Sequence, residues 1–344
     1  MKKALIVGLG YHPGHKLHMV AFNEMLLNLD YSCFNLFHKR YVTTDEKISS
    51  LSLFSLSKID VSIIYSPSIL NFLVIIYLKV FRRSNVYFYF HEPFDSIVSY
   101  RNAGYSLFRI FKLLCFDLTN VLCVLSSFSI ILGSDKSLSV FKRNFRYYNR
   151  NVIKMSLIYP SVDVNESSIS KKKYISYIGT IASDHAFESF FNFIISSLKD
   201  SDLQNFAFLI ATSSKLSSSM INSLKEIDVS KRVTLFQGGY MTDDFINKCY
   251  NESMLVWNAY TRGMQSGVLA RAFLYATPVL VNKNNSNEYV TDRFNSFFIS
   301  DLNDYHQFKN AILFTSRNQL FLSNNARVTY NKNFNYNNYL DMFL

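Results

Sequence analysis

The chain has 344 residues, of which 49% are hydrophobic, with 10 glycines and 5 prolines. This composition excludes disordered and fibrous classes, and the length predicts two domains of about 150 residues rather than one core. The net charge of +11 is one-sided, because residues 1–160 hold 19 Lys and Arg against 9 Asp and Glu, whereas residues 161–344 hold 17 against 16. A basic first half predicts an anionic membrane surface or nucleic acid as partner, or else a solvated face.

Neither the cysteines nor the apolar stretches indicate secretion or a membrane span. The four cysteines form no CxxC pair, which favours reduced thiols in a cytoplasmic protein over a disulfide framework or a zinc site. The apolar run 4–7 is too short for a signal-peptide core, and the stretch 68–81 is too short to cross a bilayer. The stretch 113–132 is long enough but contains Asp117 and Asn120. We interpret 68–81 and 113–132 as buried core.

Short apolar strands alternate with helical segments along both halves of the chain. In the first half the predicted strands are 3–7, 31–37, 60–65 and 85–90, and the predicted helices are 17–29 and 69–81. In the second half the predicted strands are 174–178, 206–211, 232–236, 254–257 and 278–281, and the predicted helices are 187–198, 243–250 and 266–275. A charged linker at 171–173 marks the boundary region, 160–173. This alternation predicts two doubly wound parallel sheets, which bind ligands outside the carboxyl ends of their strands.

Three of these strand ends carry residues suited to chemistry. Ser266 precedes an apolar-periodic helix and Gly267 allows close backbone approach, which predicts a site for a diphosphate or else an ordinary N-cap. His91, next to Glu92, follows a buried strand and either takes part in proton transfer or is a hydrogen-bonded structural histidine. The glycines of the segment 8–14 lack the full GxGxxG spacing, so we interpret them as a substrate loop and not a dinucleotide site.

Seven segments, in order, resemble motifs of the family-4 retaining glycosyltransferases, the glycogen-synthase and phosphatidylinositol-mannosyltransferase type found in bacterial surface polysaccharide synthesis. They are 60–67 (DVVHxHSP), 85–93 (the active-site histidine), 158–163 (IPNGVD), 177–180 (YxGR), 236–238 (FxG), 270–279 (LEAMAxGxPV) and 287–297 (NExVxxGxNGF). The resemblance implies an α/β chain of GT-B fold, with two Rossmann-like doubly wound domains facing a central cleft. An acceptor-binding domain would occupy residues 1–163, a nucleotide-sugar-binding domain 164–328, and a C-terminal helix crossing back 329–344.

The resemblance also implies an activity and a set of site residues. A metal-independent hexosyltransferase would move a sugar from a nucleotide-diphosphate sugar to a saccharide or polyprenyl-diphosphate-linked acceptor in O-antigen, lipopolysaccharide or capsule synthesis. It would need no cofactor, bind no nucleic acid, and work in the cytoplasm on the inner face of the membrane through its basic first domain. Its catalytic residue would be His91; its donor-binding residues Gly179, Thr180, His185, Gly238, Tyr240, Arg262, Gln265, Ser266, Gly267 and Arg271; and its acceptor-binding residues Gly10, His12, Gly14, His15 and Glu92.

The chain departs from the family pattern at the donor site. Gly263 and Arg271 stand where the family has two glutamates, and Thr180 and His185 stand where it has an Arg and a Lys for the diphosphate. We hypothesise that Arg262 and Arg271 compensate for the two lost cations. The alternative is a catalytically silent GT-B binding subunit of a polysaccharide assembly complex. A nucleic-acid-binding protein is a further alternative, which charge favours but no motif supports.

Overall fold

The computed structural model describes residues 2–10, 15–38, 58–65, 67–160, 162, 172–228, 231–263 and 266–343. The chain divides into two compact units. The first unit comprises Met1–Ser161 and Asn333–Leu344, and the second comprises Val162–Lys332.

The first unit is built on a parallel sheet in the order β2-β1-β3-β4-β5-β6. Its strands are β1 (Lys3–Gly8), β2 (Ser32–Phe37), β3 (Val61–Tyr65), β4 (Asn85–Tyr89), β5 (Ser129–Leu132) and β6 (Asn151–Lys154). Its described helices are α1 (Lys16–Leu27), α2 (Ile69–Phe81), α3 (Ile97–Asn102), α4 (Leu107–Ser126) and α5 (Asp135–Asn144).

Two apolar layers cover the two faces of this sheet. On one face Phe22 and Met25 of α1 pack against alternate strand residues such as Ile63. On the other face Ile75 of α2 packs with strand residues of the opposite parity, such as Ile64. Because side chains alternate along a strand, a strand covered on both faces is apolar throughout, and all five residues of β3 are buried.

The second unit repeats this design with the strand order β12-β11-β10-β7-β8-β9, again parallel. Its strands are β7 (Tyr174–Ile178), β8 (Ala207–Thr212), β9 (Val233–Gln237), β10 (Ser253–Asn258), β11 (Val279–Asn282) and β12 (Ser296–Ile299). Its described helices are α6 (Phe187–Lys199), α7 (Ser218–Ile227), α8 (Asp243–Glu252), α9 (Gly267–Leu274), α10 (Tyr305–Arg317) and α11 (Gln319–Asn333). Its core is aromatic: Phe193 stacks on Phe308 with ring centroids 4.7 Å apart, and both lie beside Trp257.

Residues from the end of the chain complete the first unit. A 3₁₀ segment, Tyr336–Met342, follows α11. The Tyr31 hydroxyl donates to the carbonyl of Phe343 at 3.0 Å, and the Tyr339 hydroxyl lies 3.1 Å from Ser156 Oγ. Tyr336 and Phe343 thereby join the core formed by α1 and the sheet.

The interpretation of the stretches 68–81 and 113–132 as buried core is wrong for one side of each helix they form. Helix α2 buries Val74, Ile75 and Leu78, but its opposite side leaves other large apolar residues exposed. Helix α4 is also exposed along much of its length. Apolar composition does not show whether a second element covers the far side of a helix, and none does here among the described residues. In the part of the chain that the structure describes, no helix is both long enough and apolar enough to cross a membrane.

The prediction of a charged linker at 171–173 is wrong for Lys172, which is only 5% exposed. Its ammonium donates to the carbonyl of Tyr275 and to Thr277 Oγ1, both at 2.6 Å. Burial away from water penalises the charged form and lowers the pKa of Lys172 to about 7. A lysine here joins the start of β7 to the turn before β11.

Lys172 predicts a specific pH dependence of stability. Its pKa is lowered in the folded protein from 10.5 to about 7, so between these values the unfolded chain holds a proton that the folded protein lacks. The free energy of unfolding therefore rises with pH across this window, by up to about 1.4 kcal/mol per pH unit from this group. Lys172→Met should remove that increment.

The test is urea unfolding of both proteins from pH 7 to pH 9. Trp257 is the only tryptophan of the chain and lies in the second unit, so its fluorescence reports that unit. The two proteins should diverge as pH rises, and parallel pH profiles would contradict the assignment.

Candidate functional site

Strand order alone locates one ligand-binding edge in each unit. In the first sheet the chain runs outward on one side from β1 to β2 and on the other side from β3 to β6. In the second sheet it runs from β7 to β9 on one side and from β10 to β12 on the other. The order therefore reverses between β1 and β3 and between β7 and β10. In open parallel sheets a ligand crevice opens at the carboxyl ends of such strand pairs.

Two histidines meet at this edge of the first unit. His91 follows the end of β4 and is half-buried, and His15 lies at the N-cap position of α1 and is buried. Their ring centroids are 5.3 Å apart in an edge-to-face arrangement. The structure therefore brings together the predicted catalytic residue and one predicted acceptor residue from positions 76 apart in the sequence.

Tyrosines from the ends of β3 and β4 support the two histidines. Tyr65 stacks on Tyr89 with ring centroids 4.8 Å apart, and its ring centroid lies 4.9 Å from that of His15. The ring of His18, in the first turn of α1, stacks on that of Tyr65 with centroids 5.9 Å apart. Its Nδ1 lies 2.8 Å from the carbonyl of Ile158. The packing against Tyr65 restrains the imidazole rings of His15 and His18.

A buried asparagine joins the ends of β1 and β3. Asn71 of α2 is fully buried, accepts from the backbone N–H of Leu9 at 3.1 Å and donates to the carbonyl of Tyr65 at 3.2 Å. Gly8, the last residue of β1, lies at the same edge, and Met19 packs so closely on it that a Cβ there would lie 2.3 Å from the sulfur. These contacts fix the start of the predicted substrate loop.

The other predicted acceptor residues are only partly located. Gly10 lies just beyond β1 and Glu92 just beyond His91, at the same edge of the sheet. His12 and Gly14 lie outside the described residues.

In the second unit the segment after β7 turns back on itself. Gly179 has φ +132°, a backbone conformation that side chains other than glycine rarely adopt. The carbonyl of Thr180 accepts from the Tyr177 hydroxyl at 2.8 Å and lies 2.7 Å from His185 Nδ1. Burial, together with the Asp184 carboxylate, raises the pKa of Tyr177, so its hydroxyl stays protonated and donates.

The segments after β7 and β10 hold each other in place. The ring of His185 stacks on that of Tyr260 with centroids 4.2 Å apart and planes 11° apart. The carbonyl of His185 accepts from Trp257 Nε1 at 2.9 Å, and the carbonyl of Asp184 accepts from the N–H of Thr261 at 2.8 Å. The predicted donor residue His185 is thus connected to the end of β10 through Trp257 and Tyr260, which are not among the predicted donor residues.

Helix α9 begins at the same edge. Ser266 Oγ accepts from the N–H of Leu269 at 3.3 Å and donates to Asn258 Oδ1 at 2.7 Å. This capping ties the helix start to the end of β10, and the amides of its first turn make a favourable place for an anion. Gln265 lies outside the described residues.

The two arginines of the compensation hypothesis have different surroundings. Arg271 is buried against α8, where its guanidinium donates to Asn247 Oδ1 and pairs with the Asp243 carboxylate at 3.1 Å. Its charge is therefore neutralised within the protein. Arg262 follows Thr261 at the end of β10 and is 5% exposed. The hypothesis thus depends on Arg262, which lies nearer to the strand end.

The remaining donor predictions lie farther along the edge, after β9. Gly238 has φ +70° and donates its N–H to the carbonyl of Thr212 at 3.1 Å, and Tyr240 is 78% exposed.

Gly263, in the segment after β10, lies close to an asparagine. A Cβ at Gly263 would lie 3.7 Å from Asn285 Nδ2, and this amide donates to the carbonyl of Tyr260 at 3.3 Å. The side-chain amide of Asn285 therefore adjoins Gly263.

Comparison with solved structures establishes the fold. HepE of Anabaena, in complex with UDP-glucose, matches with a TM-score of 0.67 and 12% identity over 100% of this chain and 98% of that chain. The sucrose-phosphate synthase from Thermosynechococcus elongatus matches with a TM-score of 0.66 and 10% identity over 99% and 97%. A UDP-forming α,α-trehalose-phosphate synthase from Burkholderia vietnamiensis gives 0.64 and 9% over 100% and 96%. The fold is GT-B, as the sequence predicts. By sequence, no protein-family model and no curated protein matches the chain.

Proposed function

We propose that the chain is a glycosyltransferase that moves a sugar from a nucleotide-diphosphate sugar to a saccharide or lipid-linked saccharide. The observation that carries the proposal is the set of residues found, in a GT-B fold, at the two places where the strand order reverses. The first carries His15, whose ring meets that of His91, and the second carries the capped helix start at Ser266, with Arg262 and the Tyr260 on which His185 stacks in the segment between β10 and that helix. The structural neighbours include one protein with UDP-glucose bound and two synthases of phosphorylated disaccharides, which supports a nucleotide-sugar donor.

In this proposal the second unit binds the donor. The diphosphate accepts hydrogen bonds from the first-turn amides of α9, whose start Ser266 fixes, and Arg262 supplies positive charge. The bond between sugar C1 and the phosphate oxygen breaks as the oxygen of the acceptor hydroxyl bonds to C1, and the proton of that hydroxyl passes to the departing nucleoside diphosphate. The negative charge that develops on the leaving phosphate is stabilised by these groups.

The first unit binds the acceptor in this proposal. His91 acts near the reacting sugar, where it hydrogen-bonds to an oxygen or transfers a proton, and His15 orients it. Gly10 and Glu92 belong to the acceptor surface. The finer assignment is family 4, hexosyl transfer without a metal, and bacterial surface polysaccharide synthesis on the inner membrane face. It is supported by the seven ordered motifs and by the basic first unit.

A silent binding subunit is the second candidate. The observation that favours it is the replacement of both family glutamates, one by Gly263 and the other by Arg271, whose charge Asp243 neutralises. Such a protein would bind donor without transferring or hydrolysing it.

Titration with UDP-, GDP-, dTDP- and CMP-sugars should raise the melting temperature for one nucleotide. A ligand that binds only the folded protein stabilises it by about 2.7 kcal/mol at 100 times its Kd. Trp257 donates to the His185 carbonyl, so its fluorescence should change in the same titration. Subsequent product formation separates the enzyme from the silent subunit.

Arg262→Met should weaken binding of that donor about tenfold or more, because a charge-assisted hydrogen bond contributes about 1.5–3 kcal/mol. Arg293→Met is the matched control, since the Arg293 side chain is 66% exposed in the same unit. Unchanged donor affinity in a folded Arg262 variant would exclude this cation from the site, and no shift from any donor would count against the proposed function.

A further inference from the structure

His91 lies between two anchored points of the chain, and the first of them is the residue before it. The backbone N–H of Phe90 donates to the carbonyl of Ile131 in β5 at 2.9 Å. The Phe90 ring lies edge-to-face against those of Phe141 in α5 and Phe145 just after it, with centroids 6.0 and 6.2 Å apart. The chain that leads into His91 is therefore fixed to the sheet and to the end of α5.

The second anchor is Phe94, three residues after His91, whose backbone groups are both bound by side chains. Its N–H donates to the Asp117 carboxylate of α4. Its carbonyl accepts from Asn144 Nδ2, at the end of α5, at 2.6 Å. Its ring packs on that of Tyr100, a buried residue of α3, with centroids 4.9 Å apart. Three different helices thus hold the donor, the acceptor and the ring of one loop residue.

Two neighbouring contacts complete this arrangement. Arg143 Nη2 donates to the carbonyl of Asp95 and pairs with the carboxylate of the same residue at 3.1 Å. The buried Asn120 donates to Asp117 Oδ1 at 3.1 Å, which orients that carboxylate from within α4. Burial raises the pKa of Asp117, and the two hydrogen bonds that it accepts oppose this by favouring its charged form. We call Asp117, Arg143 and Asn144 the loop clamp.

The chain between His91 and Phe94 transmits this anchoring because it has little conformational freedom. The pyrrolidine ring of Pro93 fixes its φ, and steric contact with that ring restricts the residue before it, Glu92. Pro93 is also buried. A shift of the Phe94 backbone must therefore move the backbone of His91, since few bonds between them can rotate.

The position of an imidazole decides how well it acts on a reacting sugar. A group that transfers a proton must lie about 2.6–3.2 Å from its partner atom, and a displacement of about 1 Å can lower a rate about 100-fold. The ring of His15 contacts that of His91, but a ring contact does not set the position of the backbone. The anchors at Phe90 and Phe94 supply that restraint.

We infer that the loop clamp positions His91 for sugar transfer. Asp117, Arg143 and Asn144 are positioning residues, which act on the imidazole through the backbone of residues 94–95 and not by contact with the sugar. The inference rests on the proposed function, because it assigns these residues to the reaction in which His91 takes part. It adds to that function side chains of α4 and α5, which lie outside the predicted site.

The double variant Arg143→Met, Asn144→Ala tests the inference on the full chain. Both side chains are exposed, so the variant should fold and keep its melting temperature within about 2 °C. Its kcat should fall about tenfold or more, whereas the KM for the donor and the donor-induced thermal shift should not change. In hydrogen–deuterium exchange, the amides of residues 90–96 should exchange at least about tenfold faster than in the unaltered protein.

Two substitutions of Asp117 separate a positioning effect from a general loss of stability. Asp117→Ala removes the acceptor of the Phe94 N–H and should lower kcat in the same way. Asp117→Asn keeps an oxygen that accepts this bond, so it should retain kcat within about threefold. Asp60→Ala is the matched control, since the Asp60 carboxylate also accepts a backbone N–H, that of Lys3 at 2.8 Å, but at the opposite edge of the sheet, before β3. Its kcat should equal that of the unaltered protein.

Combination with His91→Asn shows whether the loop clamp acts through the imidazole. In that background the Arg143 and Asn144 substitutions should lower the rate by less than about threefold more, because no catalytic imidazole is left to misplace. Full additivity of the two losses would overturn the inference, and so would an unchanged kcat or an unchanged exchange rate in the Arg143, Asn144 variant. If the unaltered protein transfers sugar and one of these results is found, the inference fails alone. If the unaltered protein transfers no sugar from any donor, the proposed function fails and the inference fails with it.

Discussion

Replacement of His91 by asparagine is expected to lower the rate of sugar transfer at least about 100-fold, the usual contribution of a positioned group in proton transfer. The asparagine side chain keeps a hydrogen-bonding group of similar reach but cannot exchange a proton near neutral pH. Donor binding should be unchanged, because the residues proposed to bind donor belong to the second unit. The measurement is the initial rate with the donor that the thermal-shift panel identifies, together with the shift itself.

His306→Asn provides the matched control for this variant. His306 is an exposed histidine in the first turn of α10, in the second unit, and its replacement should leave the rate unchanged. A His91→Asn enzyme within about threefold of the unaltered rate would show that the imidazole is structural. In that case its packing against His15 and Tyr89 would be its whole function.

Truncation of Trp257 to alanine should destabilise the second unit by about 3–5 kcal/mol, as expected for a large aromatic in a close-packed core. The indole is 1% exposed and packs with Phe190, Phe193 and Phe308. The change also leaves the carbonyl of His185 without its indole donor, so the segment after β7 should lose order and donor affinity. Calorimetry and far-UV circular dichroism of the two proteins give the difference.

Phe108→Ala is the control, since that ring is 80% exposed. Its removal should change stability by less than about 0.5 kcal/mol, because a surface side chain leaves no cavity behind. A Trp257→Ala protein of nearly unchanged melting temperature would contradict the packing described for the second unit.

Much of the fold follows from the sequence because parallel strands covered on both faces are short, continuous apolar runs. The predicted strands 60–65 and 174–178 agree with β3 and β7 to within one residue. The sequence pattern does not reveal the edge strand β6, because the ends of Asn151–Lys154 are exposed and only two apolar residues lie between them. Strand β5 lies inside the stretch 113–132, where only Ser127 and Phe128 separate it from α4 and no glycine or proline marks the end of the helix.

The candidate site was predictable where one residue carries the signal and not where several distant residues share it. His91 and Ser266 stand directly after or before an element whose pattern is visible in the sequence. Tyr65 and Tyr89 resemble ordinary strand tyrosines until the sheet places them side by side. The contact of Asn71 with Leu9 spans 62 positions, which no local pattern reveals.

The completion of the first unit by residues after α11 affects the order in which the chain folds during synthesis. The second unit is one continuous segment, Val162–Lys332, and can fold as soon as it has been made. The core of the first unit lacks Tyr336 and Phe343 until the ribosome has translated the second unit entirely. Domains usually fold in order from the N-terminus, but here the core of the first unit is completed only after the second unit has been made.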